Sequence, residues 1–253
     1  MSDLIITTKG NVRYLTINRP ESRNALNYNL MKNLSKSIRE ANEDDNVKVI
    51  VLNSSSEKAF CAGVDLKELK NFIDTNRTRE YFHAYSEIIL AIEECIKPIV
   101  SVVRGYALAG GCGLAVACDI TIASSNSKFG VPEINLGMWP MIISYPILKF
   151  VNPKKALELF LTGRMIDANE AKEIGMVSFV VDDQDLEKFS EEVITNLSNR
   201  NYLTLKMGKE AFDFLVQNNY AEKIKYLREM SAILAHSAKE NIDQFLAKSL
   251  PKG

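Results

Sequence analysis

The sequence predicts a mixed α/β fold with a helical C-terminal part, and three observations carry that prediction. Short apolar or β-branched runs alternate with longer, helically periodic stretches. The second half then becomes mainly helical. The 253 residues are 46% hydrophobic and 25% charged, a globular balance that accommodates one large domain, or one domain with a small appendage.

Leu4–Thr8 and Val12–Asn18 read as a hairpin closed around Lys9-Gly10-Asn11. Tyr28–Asn42 places Leu30, Met31, Leu34 and Ile38 on one helical face. Val47–Leu52, Ile99–Val103, Ile120–Ala123 and Met176–Val181 are compact apolar runs of buried-strand length. Asp65–Phe72 and Thr78–Ile96 carry helical periodicity between them. Asn152-Pro153 is a helix start, with a cap followed by proline at the first helical position. Asp167-Ala-Asn-Glu170 has the form of a capping box, and Gly163 and Gly175 punctuate the flanking helices. Further helices are expected at Asp185–Ser198, Leu203–Gln217, Tyr220–His236 and Asn241–Lys248. No repeat, low-complexity tract or proline-rich linker interrupts this order.

Composition excludes several function classes. The formal net charge is −1 with basic residues spread along the chain, unlike the footprint of a nucleic-acid binder. No apolar run approaches the ~18 residues of a membrane span. The start, Met1-Ser-Asp-Leu-Ile-Ile, lacks the basic and apolar regions of a signal peptide. Cys61, Cys95, Cys112 and Cys118 show no paired spacing, and His83 and His236 stand far apart, so no metal site is expected. Reduced thiols in a cytoplasmic protein are the expectation.

Two segments carry chemistry. In Phe129-Gly-Val-Pro-Glu-Ile-Asn-Leu-Gly137, Glu133 is flanked by apolar residues, a setting that raises a carboxylate pKa and suits it to proton transfer. Upstream, the β-branched run at Ile99–Val103 leads to Ala109-Gly110-Gly111-Cys112-Gly113, a turn opening into a helix with unpaired N–H groups. A dinucleotide-binding turn is the rival, but Val116 stands where its third glycine belongs and Asp119 comes too early. Glycines serving only a tight turn remain an alternative. In Glu57–Glu68, Gly63 leads into a helix near Asp65, so the amide of Val64 offers the other half of an oxyanion site, or the segment is a loop with an ordinary cap.

These residues resemble the crotonase (enoyl-CoA hydratase/isomerase) superfamily. The likeness runs through Ile17–Leu26, Ala59–Leu66, Gly105–Leu114, Phe129–Gly137 and Leu161–Arg164 in order. It implies a β-β-α spiral core over residues 1–195 and a helical region over 196–253 that builds trimers, often dimers of trimers. It also implies no cofactor beyond a coenzyme A thioester as substrate. Val64 and Gly110 would donate their N–H groups to the thioester oxygen. Ala62, Val64, Asp65, Leu66, Lys67 and Gly110 would border the substrate, with Arg19, Arg23 and Lys67 as candidates for the phosphates or, alternatively, solvated surface charges.

Two departures bear on the reaction. Hydratases of this superfamily usually carry a second glutamate at the position that is Gly113 here, and glycine cannot transfer a proton. After Gly137, Met138 and Trp139 replace a glycine-rich segment, as acyl-pocket candidates or as packing residues. A single carboxylate suffices for Δ3–Δ2 isomerisation, which needs only a proton shuttle, whereas hydration also requires an oriented water. The alternatives are a 2-enoyl-CoA hydratase using Glu133 alone and a non-catalytic acyl-CoA-binding subunit.

Overall fold

The computed structural model describes residues 2–217, so the expected helices at Tyr220–His236 and Asn241–Lys248 lie outside the described residues. The chain divides into two compact units, Met1–Asn199 and Arg200–Gly253. The first is a two-sheet α/β unit. The second is described only through a helix at Tyr202–Gln217.

The first unit opens with the expected hairpin, β1 (Leu4–Lys9) paired antiparallel with β2 (Val12–Ile17). Helix α1 (Tyr28–Glu43) follows, capped by the Asn27 side chain, which accepts from the Leu30 amide. Then three cycles repeat one pattern: a strand in a large sheet, a three-residue strand in a small sheet, and helix. β3 (Val49–Ser54) and β4 (Ala59–Cys61) precede α2 (Leu66–Asp74) and α3 (Thr78–Glu93). β5 (Ile99–Val103) and β6 (Tyr106–Leu108) precede α4 (Gly110–Ala117). β7 (Ile120–Ser124) and β8 (Lys128–Gly130) precede α5 (Met141–Phe150) and α6 (Pro153–Thr162). The unit closes with β9 (Met165–Asp167), α7 (Ala168–Glu173), β10 (Phe179–Val181) and α8 (Leu186–Ser198).

The large sheet runs β1-β2-β3-β5-β7-β10 and is parallel from β2 onward. The small sheet runs β4-β6-β8-β9, parallel except for the last pair. This is the β-β-α spiral that the resemblance implies. Alternation along β3 explains the layering. Ile50 and Leu52 join the main core beneath α1, α3 and α4, while Val49 and Val51 face α8 through Leu186 and Ile194.

Some boundaries differ from the sequence expectation. Val47 is buried but lies ahead of the ladder that begins at Val49. Met176 and Val177 are buried too, yet their amides donate to the Ala171 carbonyl in the turn after α7, so the strand starts only at Phe179. Among the described residues, no helix is long and apolar enough to cross a membrane.

Candidate active site

The small sheet positions the chemistry. Its strands β4, β6 and β8 are adjacent and parallel, so the segments leaving their C-terminal ends emerge side by side. Those segments are Ala62-Gly63-Val64, Ala109-Gly110 and Val131-Pro132-Glu133. Ligands in α/β folds bind outside such strand ends, and here a cleft of about 680 Å³ opens there. Val64, Gly110 and Glu133 all line it.

Close approach brings the two amides together. A Cβ on Gly63 would lie 3.2 Å from the Gly110 nitrogen. Gly111 lets the start of α4 press on β4, since a Cβ there would meet the Cys61 carbonyl at 2.1 Å. Ala109 adopts φ 50°, ψ −128° while its own amide donates to the Gly130 carbonyl at 2.9 Å. A positive φ on a non-glycine residue is a strained conformation, and it turns the Gly110 amide out of the ladder. Among the described residues, neither the Val64 nor the Gly110 amide has a hydrogen-bond acceptor within the protein. Two free N–H groups, one at a helix start, suit an oxygen that gains negative charge.

Glu133 sits in a 3-10 turn, Pro132–Leu136, closed by Gly137 at φ 70°. Its Oε2 is buried without a hydrogen-bond partner. Burial pushes its pKa up to about 7, against a smaller opposing effect of its own backbone N–H. A carboxyl poised there can both accept and return a proton near neutrality. Burial also raises the Cys61 and Cys112 thiols to about 12, which leaves them protonated and unsuited to nucleophilic attack.

The loop carrying Val64 is braced at several points. Asp65 caps α2 by accepting from the Lys67 and Glu68 amides, and its other oxygen accepts from Arg19 at 3.1 Å. Tyr81 donates to the Leu26 and Asp65 carbonyls. Ala62, Asp65, Leu66 and Lys67 line the cleft mouth, where Leu66 and Lys67 are exposed. Arg19 does not reach the cleft: its guanidinium is held by Asp65, the Ala25 carbonyl and Asp3, a bracing role in place of the expected phosphate contact. Arg23 also lies outside the lining, at φ 54°, where its carbonyl accepts from the Ala62 amide. Met138 and Trp139 both line the cleft, and Trp139 packs edge-on against Phe160 at 5.8 Å.

Two residues of this site were not singled out in the sequence. Tyr85, buried on α3, donates its hydroxyl to the Gly110 carbonyl at 2.7 Å. Burial holds its pKa well above the ordinary tyrosine value, with the nearby Cys61 thiol and the Glu133 carboxyl adding to it. Ile143, on α5, fills the space opposite Gly113: a Cβ there would fall 2.2 Å from Ile143 Cγ2. The two hydroxyls on the buried face Tyr81, Ala84, Tyr85, Ile88 were the available signal, because a buried donor needs an acceptor, but they did not single out Tyr85. Ile143 gave none; its role exists only in the packing.

Comparison with known proteins gives the family and the fold. A family model described as Enoyl-CoA hydratase/isomerase matches residues 7–252. A probable enoyl-CoA hydratase of Rhizobium meliloti (strain 1021) is 37% identical over 250 residues, covering 97% of this chain and 95% of that protein. Among solved structures, an enoyl-CoA hydratase of Mycobacterium smegmatis aligns with a TM-score of 0.94 at 29% identity, covering 100% of this chain and 99% of that one. Human enoyl Coenzyme A hydratase domain-containing protein 3 aligns with a TM-score of 0.92 at 26% identity, with 100% of both chains covered.

Proposed function

The chain belongs to the enoyl-CoA hydratase/isomerase family and is a crotonase-type enzyme, and from this premise we propose that it moves a double bond along an acyl-CoA thioester, from the 3,4 to the 2,3 position. The observation that carries this reading is Glu133, half-buried with one carboxyl oxygen enclosed and unpartnered, set in a cleft whose other acids among the described residues are differently placed. Asp65 is committed to Arg19 and the start of α2, and Glu21 lies in the exposed Pro20–Ser22 turn.

In this mechanism the thioester oxygen accepts hydrogen bonds from the Val64 and Gly110 amides, each donor worth roughly 3 kcal/mol as charge develops. Glu133, ionised, removes a proton from C2 of a 3-enoyl thioester. The electron pair delocalises through the carbonyl and the double bond as a dienolate. Protonated Glu133 then returns a proton to C4, leaving the double bond at C2–C3 and regenerating the carboxylate. Lys67, exposed and without a carboxylate partner among the described residues, is the candidate for the coenzyme A phosphates. Met138, Trp139 and Ile143 give the acyl chain an apolar surface. No resident cofactor enters these steps.

A second reading is hydration of a 2-enoyl thioester by Glu133 alone, and the named function of the Rhizobium relative favours it. Incubation with 3-enoyl-CoA and 2-enoyl-CoA separately in deuterated water, with products followed by mass, separates the two. The proposal expects 3-enoyl-CoA to become 2-enoyl-CoA with no change beyond deuterium. Addition of water to 2-enoyl-CoA as the faster reaction supports hydration instead. Binding without turnover of either marks a non-catalytic acyl-CoA subunit.

A further inference from the structure

Among the residues that line the cleft, Ile143 meets the molecule most unusually. It is 3% exposed, and its Cγ2 and Cβ lie 2.2 and 2.4 Å from where a side chain on Gly113 would begin. That same point lies 3.3 Å from Tyr85 Oη, so the isoleucine methyl occupies the ground beside the hydroxyl. The one proton of Tyr85 is already donated to the Gly110 carbonyl. Its remaining capacity is as an acceptor, and an isoleucine methyl is no donor. Tyr85, Ile143, Gly110 and Glu133 all line one cleft, so this ground opens on the same space as the oxyanion turn and the acid/base.

Removing the isoleucine branches opens a space with a hydrogen-bond acceptor on its wall, in the cleft that also holds the unpartnered Glu133 oxygen. A space of that kind admits a water molecule, whereas a space lined only by carbon stays dry. We infer that Ile143 is a specificity-determining residue: it denies water the place beside the Tyr85 hydroxyl and thereby holds the site to proton transfer rather than water addition. Tyr85 is the positioning residue that would anchor such a water and that fixes Gly110 in the oxyanion turn.

This inference rests on the proposed isomerisation, and the test separates the two. Wild type, Ile143→Leu and Ile143→Ala are each given 3-enoyl-CoA and 2-enoyl-CoA in deuterated water, and the ratio of water addition to double-bond migration is read by mass. Ile143→Ala is expected to raise that ratio roughly tenfold or more, the scale of discrimination a methylene or two supplies, with Ile143→Leu between. Ile143→Leu removes the Cγ2 branch that fills this ground and conserves the side-chain volume, so it remains informative if the alanine variant fails to fold. Tyr85→Phe added to Ile143→Ala is expected to reverse the gain, because the water loses its anchor. An active wild type whose ratio is unchanged in both Ile143 variants overturns the inference alone. A wild type that already adds water faster than it migrates the double bond, or that turns over neither substrate, overturns the proposed function and the inference with it.

Discussion

At the residue scale the site depends on one carboxyl held between two protonation states. Because Glu133 must be ionised to accept a proton from carbon, kcat/KM should rise with pH and level off above about pH 7, the value to which burial pushes its pKa. A profile that levels off near pH 4.5 would mean that the carboxyl is solvated in the working enzyme. The same shift affects stability. A carboxyl with a raised folded-state pKa binds its proton more tightly in the folded protein, so it contributes stability fully below the unfolded pKa of 4.5, and that contribution is lost as pH rises to about 7. After allowance for the part of the group that solvent reaches, the loss is about 2 kcal/mol. Glu133→Gln should therefore gain on wild type in thermal unfolding at pH 8 and not at pH 4. Glu133 and the two glycine turns stood out in the sequence because each is defined locally, and the family resemblance then pointed to the Val64 and Gly110 amides; the structure brings all three to one cleft. Sequence reading did not reach Ile143, which meets Gly113 through space, and it left Arg19 between a phosphate contact and a surface charge because a guanidinium's partner across the chain, Asp65, cannot be read from spacing.

At the scale of elements, the three-residue strands β4, β6 and β8 matter most, since the working groups leave their ends. None was legible in the sequence: three residues cannot show alternation, and Ala59–Cys61 is buried throughout. The large-sheet strands β3, β5 and β7 were legible as compact apolar runs, and the amphipathic helices because their period runs for many residues. Gly111→Ala should destabilise the protein by about 3 kcal/mol or more, measured by denaturant unfolding, because the added carbon meets a backbone carbonyl that cannot step aside. Near-neutral behaviour would mean that α4 and β4 are not pressed together. Asp65→Ala removes both the cap of α2 and the Arg19 contact. A loss of about 1–2 kcal/mol is expected. A fall in kcat should accompany it, because the Val64 amide is carried on the same loop; unchanged kcat would detach that amide from catalysis.

At the scale of the whole molecule, the spiral is what gathers distant sequence segments. Each β-β-α cycle delivers one segment to the same edge of the small sheet, so Val64, Gly110 and Glu133 converge although a full cycle of chain separates the first from the second. Exposed apolar side chains on α5, α6 and β9, among them Leu148, Leu157, Leu161 and Met165, support the proposal that copies of the chain associate as a trimer or a dimer of trimers. Sedimentation or light scattering should then return three or six times 28.4 kDa, and a monomer at micromolar concentration would contradict it.

The central claim is that Glu133 moves the proton, and it has a direct measurement. Purified wild type and Glu133→Gln are compared for conversion of 3-enoyl-CoA in deuterated water and, separately, for affinity toward an unreactive acyl-CoA. The account predicts that the glutamine variant loses turnover by at least the ~10²–10⁴-fold that one acid/base supplies, with affinity kept within a few-fold. Turnover that survives the substitution would contradict it.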